Sequence, residues 1–225
     1  MGLPAFINQS EKDWIFKVTK ETSVQPERDL CLLALFLGTP MTTLEINRVQ
    51  IQDVLHRSGK LCREFVIRGN VSFNGDERHV FLKNAKVRKY LAAYLDHRIK
   101  EKILLGNHPD YFLSLDPDSP LFCTNKGRGE PGWRGFSIAK RDTNRGSVSY
   151  TCDALNRHLK QLLSKAGVQE PSILSGRRTF AVVLKRKGLD TAHIHHLLGN
   201  KSLETTEKLL DTDPVDMEYI ASEGF

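Results

Sequence analysis

Long hydrophobic runs are absent from this sequence of 225 residues. No stretch approaches the ~18 consecutive apolar residues of a membrane-spanning helix, so we expect no membrane contact. Cysteine is scarce, and none of Cys31, Cys62, Cys123 and Cys152 forms a Cys-x-x-Cys pair. That spacing favours reduced cytosolic thiols over a disulfide set or a zinc site. The histidines of the segment 193–196 have no acidic or cysteine ligand beside them, so no metal or other cofactor is predicted.

Positive charge is in excess, with a formal net charge of +6. Hydrophobic residues make up 40% and charged residues 27%, which suits a globular core and weakly favours a polyanionic partner. The glycine-rich segment 123–149 concentrates cations, and we predict a basic loop or hairpin there. It is either a solvated surface loop or an arm that contacts a nucleic-acid backbone. Its basic residues are Lys126, Arg128, Arg134, Lys140, Arg141 and Arg145.

Periodicity in the first half of the chain predicts three helical segments and a small sheet. Residues 7–22 read as a helix with Ser10 as its cap, and residues 27–38 as an apolar core helix. Residues 43–55 read as a helix followed by an extended stretch. Strands are predicted within 62–84, with Asn74-Gly75-Asp76 as a hairpin signal. A long helix over 85–104 follows, with an apolar stripe of Val87, Leu91, Tyr94 and Leu95.

Three more helices are predicted in the second half, over 151–167, 177–188 and 190–199. The first carries a leucine stripe, and the last begins at an Asp190 cap. On the middle helix the expected apolar face is Phe180, Val183 and Leu184. Helices, a small sheet and further helices in that order define a mostly helical α+β domain.

The C-terminal part carries an ordered set of motifs. The stretch RRTFA at 177–181 is followed by Leu198-Gly199, then Ser202 and Thr205-Thr206. Their order and spacing resemble the C-terminal signature of tyrosine recombinases of the phage-integrase type. The first-box-like segment 27–54 and the motifs ERHVFL and SPLF extend this resemblance over nearly the whole chain.

The resemblance implies a tyrosine-recombinase catalytic-domain fold with a small antiparallel sheet. It places one such domain over residues 1–225, without the N-terminal core-binding domain of full recombinases. In that family, a tyrosine hydroxyl attacks a DNA phosphate and forms a covalent 3′-phosphotyrosyl intermediate. Two arginines clamp the phosphate oxygens, while a lysine and histidines handle protons, and no metal is needed.

Position by position, the second-box arginine is retained as Arg177. Five other matching positions hold side chains unsuited to the family's chemistry, and losing one member of a catalytic set already removes most of its rate. We therefore predict that strand cleavage is lost. The five are Thr42 for the first arginine, Phe73 for the lysine, Leu174 and Asn200 for the histidines, and Leu209 for the tyrosine.

DNA contacts are expected from the retained polar residues near this vestigial site and from the basic segment 126–145. Helix capping is an alternative role for Ser202 and Thr205, and a buried structural ion pair is an alternative for Arg177. The expected contacts are Arg177, Arg178, Lys201, Ser202 and Thr205.

Together these features predict a catalytically inactive protein that binds double-stranded DNA. It would be a regulator or accessory factor of a mobile element or bacterial locus, cytoplasmic and nucleoid-associated. One alternative is an active recombinase with Tyr219 as its nucleophile. The other is a protein-interaction module whose C-terminal tail, 213–225, docks into a second copy or a partner recombinase.

Overall fold

A computed structural model describes residues 5–125, 132–142 and 148–210 of the chain. This part is mostly helical and has three two-stranded antiparallel ladders, which pair β1 with β2, β3 with β4, and β5 with β6. The helices are α1 (Gln9–Thr22), α2 (Pro26–Gly38), α3 (Thr43–Arg48), α4 (Ile51–Val54), α5 (Ala85–Lys100), α6 (Asp153–Lys165), α7 (Ser175–Arg186), α8 (Thr191–Leu198) and α9 (Leu203–Leu210). The strands are β1 (Glu64–Ile67), β2 (Arg78–Phe81), β3 (Cys123–Asn125), β4 (Trp133–Gly135), β5 (Ala139–Asp142) and β6 (Val148–Thr151). The predicted α+β class is confirmed.

Helix α2 is the centre of the main core. It is apolar on nearly all sides and packs against α1, α5 and α7, as the sequence predicts for a core helix. The stripe predicted on α5 is buried in the same core. Where α7 crosses α2, a Cβ on Gly176 would lie 2.3 Å from the carbonyl oxygen of Phe36. This close crossing positions the start of α7, and with it Arg177, against the α2–α3 connection.

Helices α7, α8 and α9 enclose a second, smaller apolar cluster. Its buried members are Ala181, Ile194, Leu198 and Leu209. Phe180 and Leu184 pack against it, as predicted, but Val183 is only half-buried, and the fully buried valine of α7 is Val182. The predicted α7 face is therefore wrong at that position, because the helix also turns toward the main core.

Three local predictions are corrected. The cap of α1 is Asn8 and not Ser10. Oδ1 of Asn8 accepts from the Glu11 backbone amide at 2.9 Å, and the Glu11 carboxylate accepts from the Asn8 backbone amide at 2.7 Å. The extended stretch predicted before Leu55 is the short helix α4. The Asn74-Gly75-Asp76 signal lies within a longer connection over 68–77 and is not a tight two-residue turn, although the hairpin itself is present.

The basic segment 123–149 was expected to be one loop or hairpin. Its described residues instead belong to two separate ladders, β3–β4 and β5–β6. Across the described ranges, no helix is both long enough and apolar enough to span a membrane.

Candidate nucleic-acid interface

Four of the six positions that the sequence matches to the family's catalytic residues line one cleft of about 400 Å³, hereafter the vestigial cleft. Thr42 caps the N-terminus of α3, and Phe73 belongs to the β1–β2 connection. Leu174 and Arg177 come from the start of α7. The cleft therefore joins three segments that are far apart in the chain.

The retained arginine is turned inward. Arg177 is only 4% exposed, and its Nη1 donates to the Pro40 carbonyl at 2.7 Å. Its Nη2 donates to the Leu198 carbonyl at 3.0 Å and to Asn200 Oδ1 at 2.6 Å. Burial lowers the pKa of Arg177 to about 10, so the guanidinium is still charged at neutral pH. Arg177 was predicted either to contact DNA or to form a buried structural ion pair. These contacts favour a structural role. The partners are carbonyl and amide oxygens, however, and not the carboxylate of an ion pair.

A second arginine lies beside the cleft and was missed by the sequence analysis. Arg78 on β2 forms a two-pronged ion pair with Glu45, with N–O distances of 2.5 and 2.8 Å. Glu45 is fully buried and also accepts from the backbone amides of Thr42 and Phe73. The Thr-x-x-Glu spacing of a capping box was a signal for Glu45, whereas no local signal pointed to Arg78.

Phe73, which the sequence matches to the family's lysine, covers both guanidinium groups. Its ring centroid lies 5.0 Å from Cζ of Arg177 and 5.8 Å from Cζ of Arg78. These are cation–π distances. The ring therefore packs on both arginines at this side of the cleft.

Asn200 continues the hydrogen-bond network behind Arg177. Its Nδ2 donates to Thr206 Oγ1 at 3.0 Å, and Nδ1 of His195 lies 3.0 Å from the same hydroxyl oxygen. Leu209, which the sequence matches to the family's tyrosine, is only 8% exposed within the small apolar cluster and does not line the cleft. The end of α9 is therefore held by packing against its own domain.

The predicted DNA-contacting residues divide by exposure. Arg178 is only 3% exposed and has little surface to offer a partner. Lys201, Ser202 and Thr205 are exposed, and Ser202 Oγ lies 3.4 Å from the Thr205 amide and 2.9 Å from its hydroxyl. That geometry is typical of a cap at the start of α9, which supports the alternative role for these two residues.

In the basic segment, Arg134 and Lys140 are exposed, and Arg141 pairs with Asp153 at 2.6 Å. The remaining predicted residues lie outside the described residues. They are Lys126, Arg128, Arg145, Tyr219 and the tail 213–225.

A groove of about 780 Å³ runs along the exposed face of α6 and was also missed. Arg157, Lys160 and Lys165 line it. Asn156 and Ile173 line both this groove and the vestigial cleft, so the two adjoin. Part of the signal was present in the sequence: Arg157 and Lys160 have the i, i+3 spacing of neighbours on a helix and lie opposite the leucine stripe of α6.

The histidine segment makes local contacts. His193 bonds the Asp190 cap, with Nδ1 and Oδ2 2.7 Å apart. Within the ranges that the structure describes, no group of three metal-ligating side chains converges.

The chain was compared with known sequences and with solved structures. No family model matches the chain. It is 24% identical over 224 residues to tyrosine recombinase XerC of Lactobacillus leichmannii. That alignment covers 98% of this chain and 62% of the XerC protein. Among solved structures, a post-cleavage complex of the XerH site-specific recombinase with palindromic difH substrate aligns at a TM-score of 0.64 and 21% identity. That alignment covers 98% of this chain and 53% of XerH.

A complex of the Tn1549 transposon integrase with transposon right end DNA aligns at a TM-score of 0.57 and 12% identity. It covers 99% of this chain and 66% of the integrase. The chain has the fold of a tyrosine recombinase catalytic domain, and the resemblance predicted from its sequence is confirmed. It spans 62% of the XerC relative and 53% of XerH, so it matches only part of either protein.

Proposed function

We propose that this protein is a catalytically inactive tyrosine-recombinase-like protein that binds double-stranded DNA. Its role would be that of a regulator or accessory factor at a mobile element or bacterial locus. The observation that carries the proposal is the burial of Leu209 among Ala181, Ile194 and Leu198 at the nucleophile position. A leucine has no nucleophilic atom, and its side chain is buried in an apolar cluster.

The basic surface supports DNA as the partner. Arg157, Lys160 and Lys165 line an open groove beside the cleft. Lys201 is also exposed, and it directly follows Asn200, which bonds Arg177 of the cleft wall. Cations spread along a groove are suited to successive phosphates, whose contacts position a protein on a duplex. The Tn1549 integrase of similar fold was solved with DNA, which is consistent with this partner.

A nicked suicide substrate tests the loss of cleavage. Such a duplex traps any covalent protein–DNA adduct, which a denaturing gel separates from free protein. We expect no adduct across a panel of recombination-site sequences, with an active tyrosine recombinase as the positive control. An adduct that disappears in Tyr219→Phe would replace this proposal with an active recombinase that uses a non-standard nucleophile.

Binding is tested by fluorescence anisotropy with a labelled mixed-sequence duplex over a series of salt concentrations. We expect affinity to fall steeply as salt rises, because phosphate contacts release counterions. No binding at micromolar protein and low salt would favour the protein-interaction module instead. If the duplex does bind, selection from a pooled oligonucleotide library separates a sequence-specific regulator, which gives a sharp motif, from an architectural protein, which gives a flat profile.

A further inference from the structure

Exposed apolar side chains gather in the vestigial cleft. Phe73, Val148, Tyr150 and Leu174 line it and are 39, 46, 47 and 44% exposed. They come from the β1–β2 connection, β6 and the start of α7, so only the folded chain brings them together. A contiguous apolar surface of this kind is typical of a binding site.

The charge around these side chains is positive. Cζ of Arg48 lies over the Tyr150 ring at 4.7 Å, and Arg177 forms part of the cleft wall. No carboxylate lines the cleft among the residues that the structure describes. The nearby Glu45 is fully buried and forms an ion pair with Arg78. This pairing offsets the negative charge of Glu45 near the cleft. The cleft therefore suits an aromatic group that is part of a negatively charged molecule.

The cleft has also lost the means to hold a phosphodiester tightly. Both Nη atoms of Arg177 donate to oxygens of the protein, on Pro40, Leu198 and Asn200. Thr42 and Phe73 carry no cation. The cations of α6 lie in the adjoining groove instead, reached past Asn156 and Ile173. The backbone-binding and the ring-binding surfaces are thus next to each other but separate.

We propose that the cleft takes up an unpaired nucleobase, so that the protein prefers DNA whose bases are out of the stack over a fully paired duplex. The inference rests on the proposed DNA binding and names the form of DNA that this site recognises. Phosphates of the strand lie along the α6 groove, and the base contacts both rings of the cleft, Phe73 and Tyr150. Proteins that bind unpaired strands combine these same two surfaces, aromatic rings and a positive groove.

The test compares two labelled duplexes of matched sequence, one fully paired and one with a short central bulge that carries 2-aminopurine. Anisotropy gives both affinities, and 2-aminopurine emission reports stacking directly. We expect the bulged duplex to bind about fivefold or more tighter, the effect of stacking one base on an aromatic ring. Its emission is expected to be quenched on binding.

Two variants remove the rings and keep the apolar volume: Tyr150→Leu and Phe73→Leu. We expect each to reduce the preference for the bulge and the quenching, with affinity for the paired duplex little changed. Tyr111→Leu is the matched control, since Tyr111 is also 39% exposed but lines a different pocket, with Arg57. Thermal unfolding of every variant checks its fold, and Tyr150→Leu carries the test if Phe73→Leu is destabilised through Arg177.

The outcomes separate this inference from the proposal on which it rests. Equal affinity for both duplexes overturns the base-binding cleft and leaves duplex binding intact. A bulge preference that persists in both variants also overturns it, because another surface is then responsible. If neither duplex binds, DNA binding itself fails, and the inference fails with it.

Discussion

At the scale of single residues, Arg177 shows how a buried arginine can serve the fold. Its guanidinium joins the α2–α3 connection at Pro40 to the end of α8 at Leu198 and to Asn200. These three oxygens belong to two segments that are far apart in the chain. Without the arginine, buried acceptors would lose their donors, which costs more than the hydrogen bonds themselves contribute.

We predict that Arg177→Met destabilises the protein by about 3 kcal/mol, because three acceptors lose a buried donor while the aliphatic stem is kept. Urea unfolding followed by circular dichroism measures the change. Arg157→Met is the control on the exposed face of α6, with an expected effect within about 0.5 kcal/mol. Equal stability of the two variants would show that the Arg177 network is not structural.

Leu209 gives the second prediction at this scale. Leu209→Tyr restores the residue type of the nucleophile but places it in the small apolar cluster. We expect a loss of about 1–3 kcal/mol from overpacking and no covalent adduct on a suicide substrate. Leu203→Tyr, at a 45% exposed position of the same helix, should leave stability unchanged. An adduct formed by Leu209→Tyr would mean that α9 leaves its packed position.

At the scale of elements, a buried polar cluster ties α2 to α6. Asp29 on α2 accepts from Arg28 Nε at 2.8 Å and lies 2.7 Å from Nε2 of His158 on α6. Arg28 also reaches the Cys123 carbonyl, where β3 begins. Burial of Asp29 opposes its ionisation, but the hydrogen bonds from His158 and Arg28 outweigh it, so the pKa of Asp29 is lowered.

This cluster predicts a pH dependence of stability. The folded-state pKa of Asp29 lies below the unfolded value of about 3.9. Asp29 therefore adds stability that is present above pH ~4 and is lost as pH falls through the folded pKa. In urea unfolding at a series of pH values, Asp29→Asn should be less stable at neutral pH and show a shallower loss in acid. The exposed Asp142→Asn should follow the unmodified protein, and an unchanged acid slope in Asp29→Asn would contradict the prediction.

At the scale of the whole molecule, two adjoining surfaces carry the proposed recognition of DNA. The α6 groove has exposed cations that would face a backbone, and the vestigial cleft has aromatic rings. Of the two positions matched to the family's arginines, Thr42 carries no cation and Arg177 is buried. In this proposal, a surface that contacts several phosphates weakly replaces a site that holds one strongly.

We predict that the double variant Arg157→Gln, Lys160→Gln weakens duplex binding and reduces the slope of log affinity against log salt by about 2, one for each lost phosphate contact. Lys89→Gln, Lys100→Gln on α5 removes the same charge and should alter the slope little. Anisotropy titrations over a salt series measure both. Equal effects of the two double variants would mean that net charge, and not the groove, drives binding.

The predictable part of the fold has a physical basis. The all-round apolarity of α2 and the stripe on α5 lie in consecutive residues, and periodicity detects them. The helix α4 was missed because so short a helix depends on contacts with other segments, such as the Ile51 amide with the Ser119 carbonyl. The Asn8 cap did have a local signal, the Asn-x-x-Glu spacing to Glu11. The Arg78–Glu45 pair spans 33 positions of the chain, beyond any local pattern.

Residue identity alone carries the prediction that five of the six matched positions lack the family's chemistry, since a leucine or phenylalanine cannot gain a hydroxyl or a cation by folding. Exposure is a different matter, because it depends on partners distant in the chain. Arg177 and Arg178 are adjacent and both look available for DNA, yet both are at least 96% buried. The gathering of Phe73, Tyr150 and Leu174 around one cleft likewise exists only after long-range packing has brought three segments together.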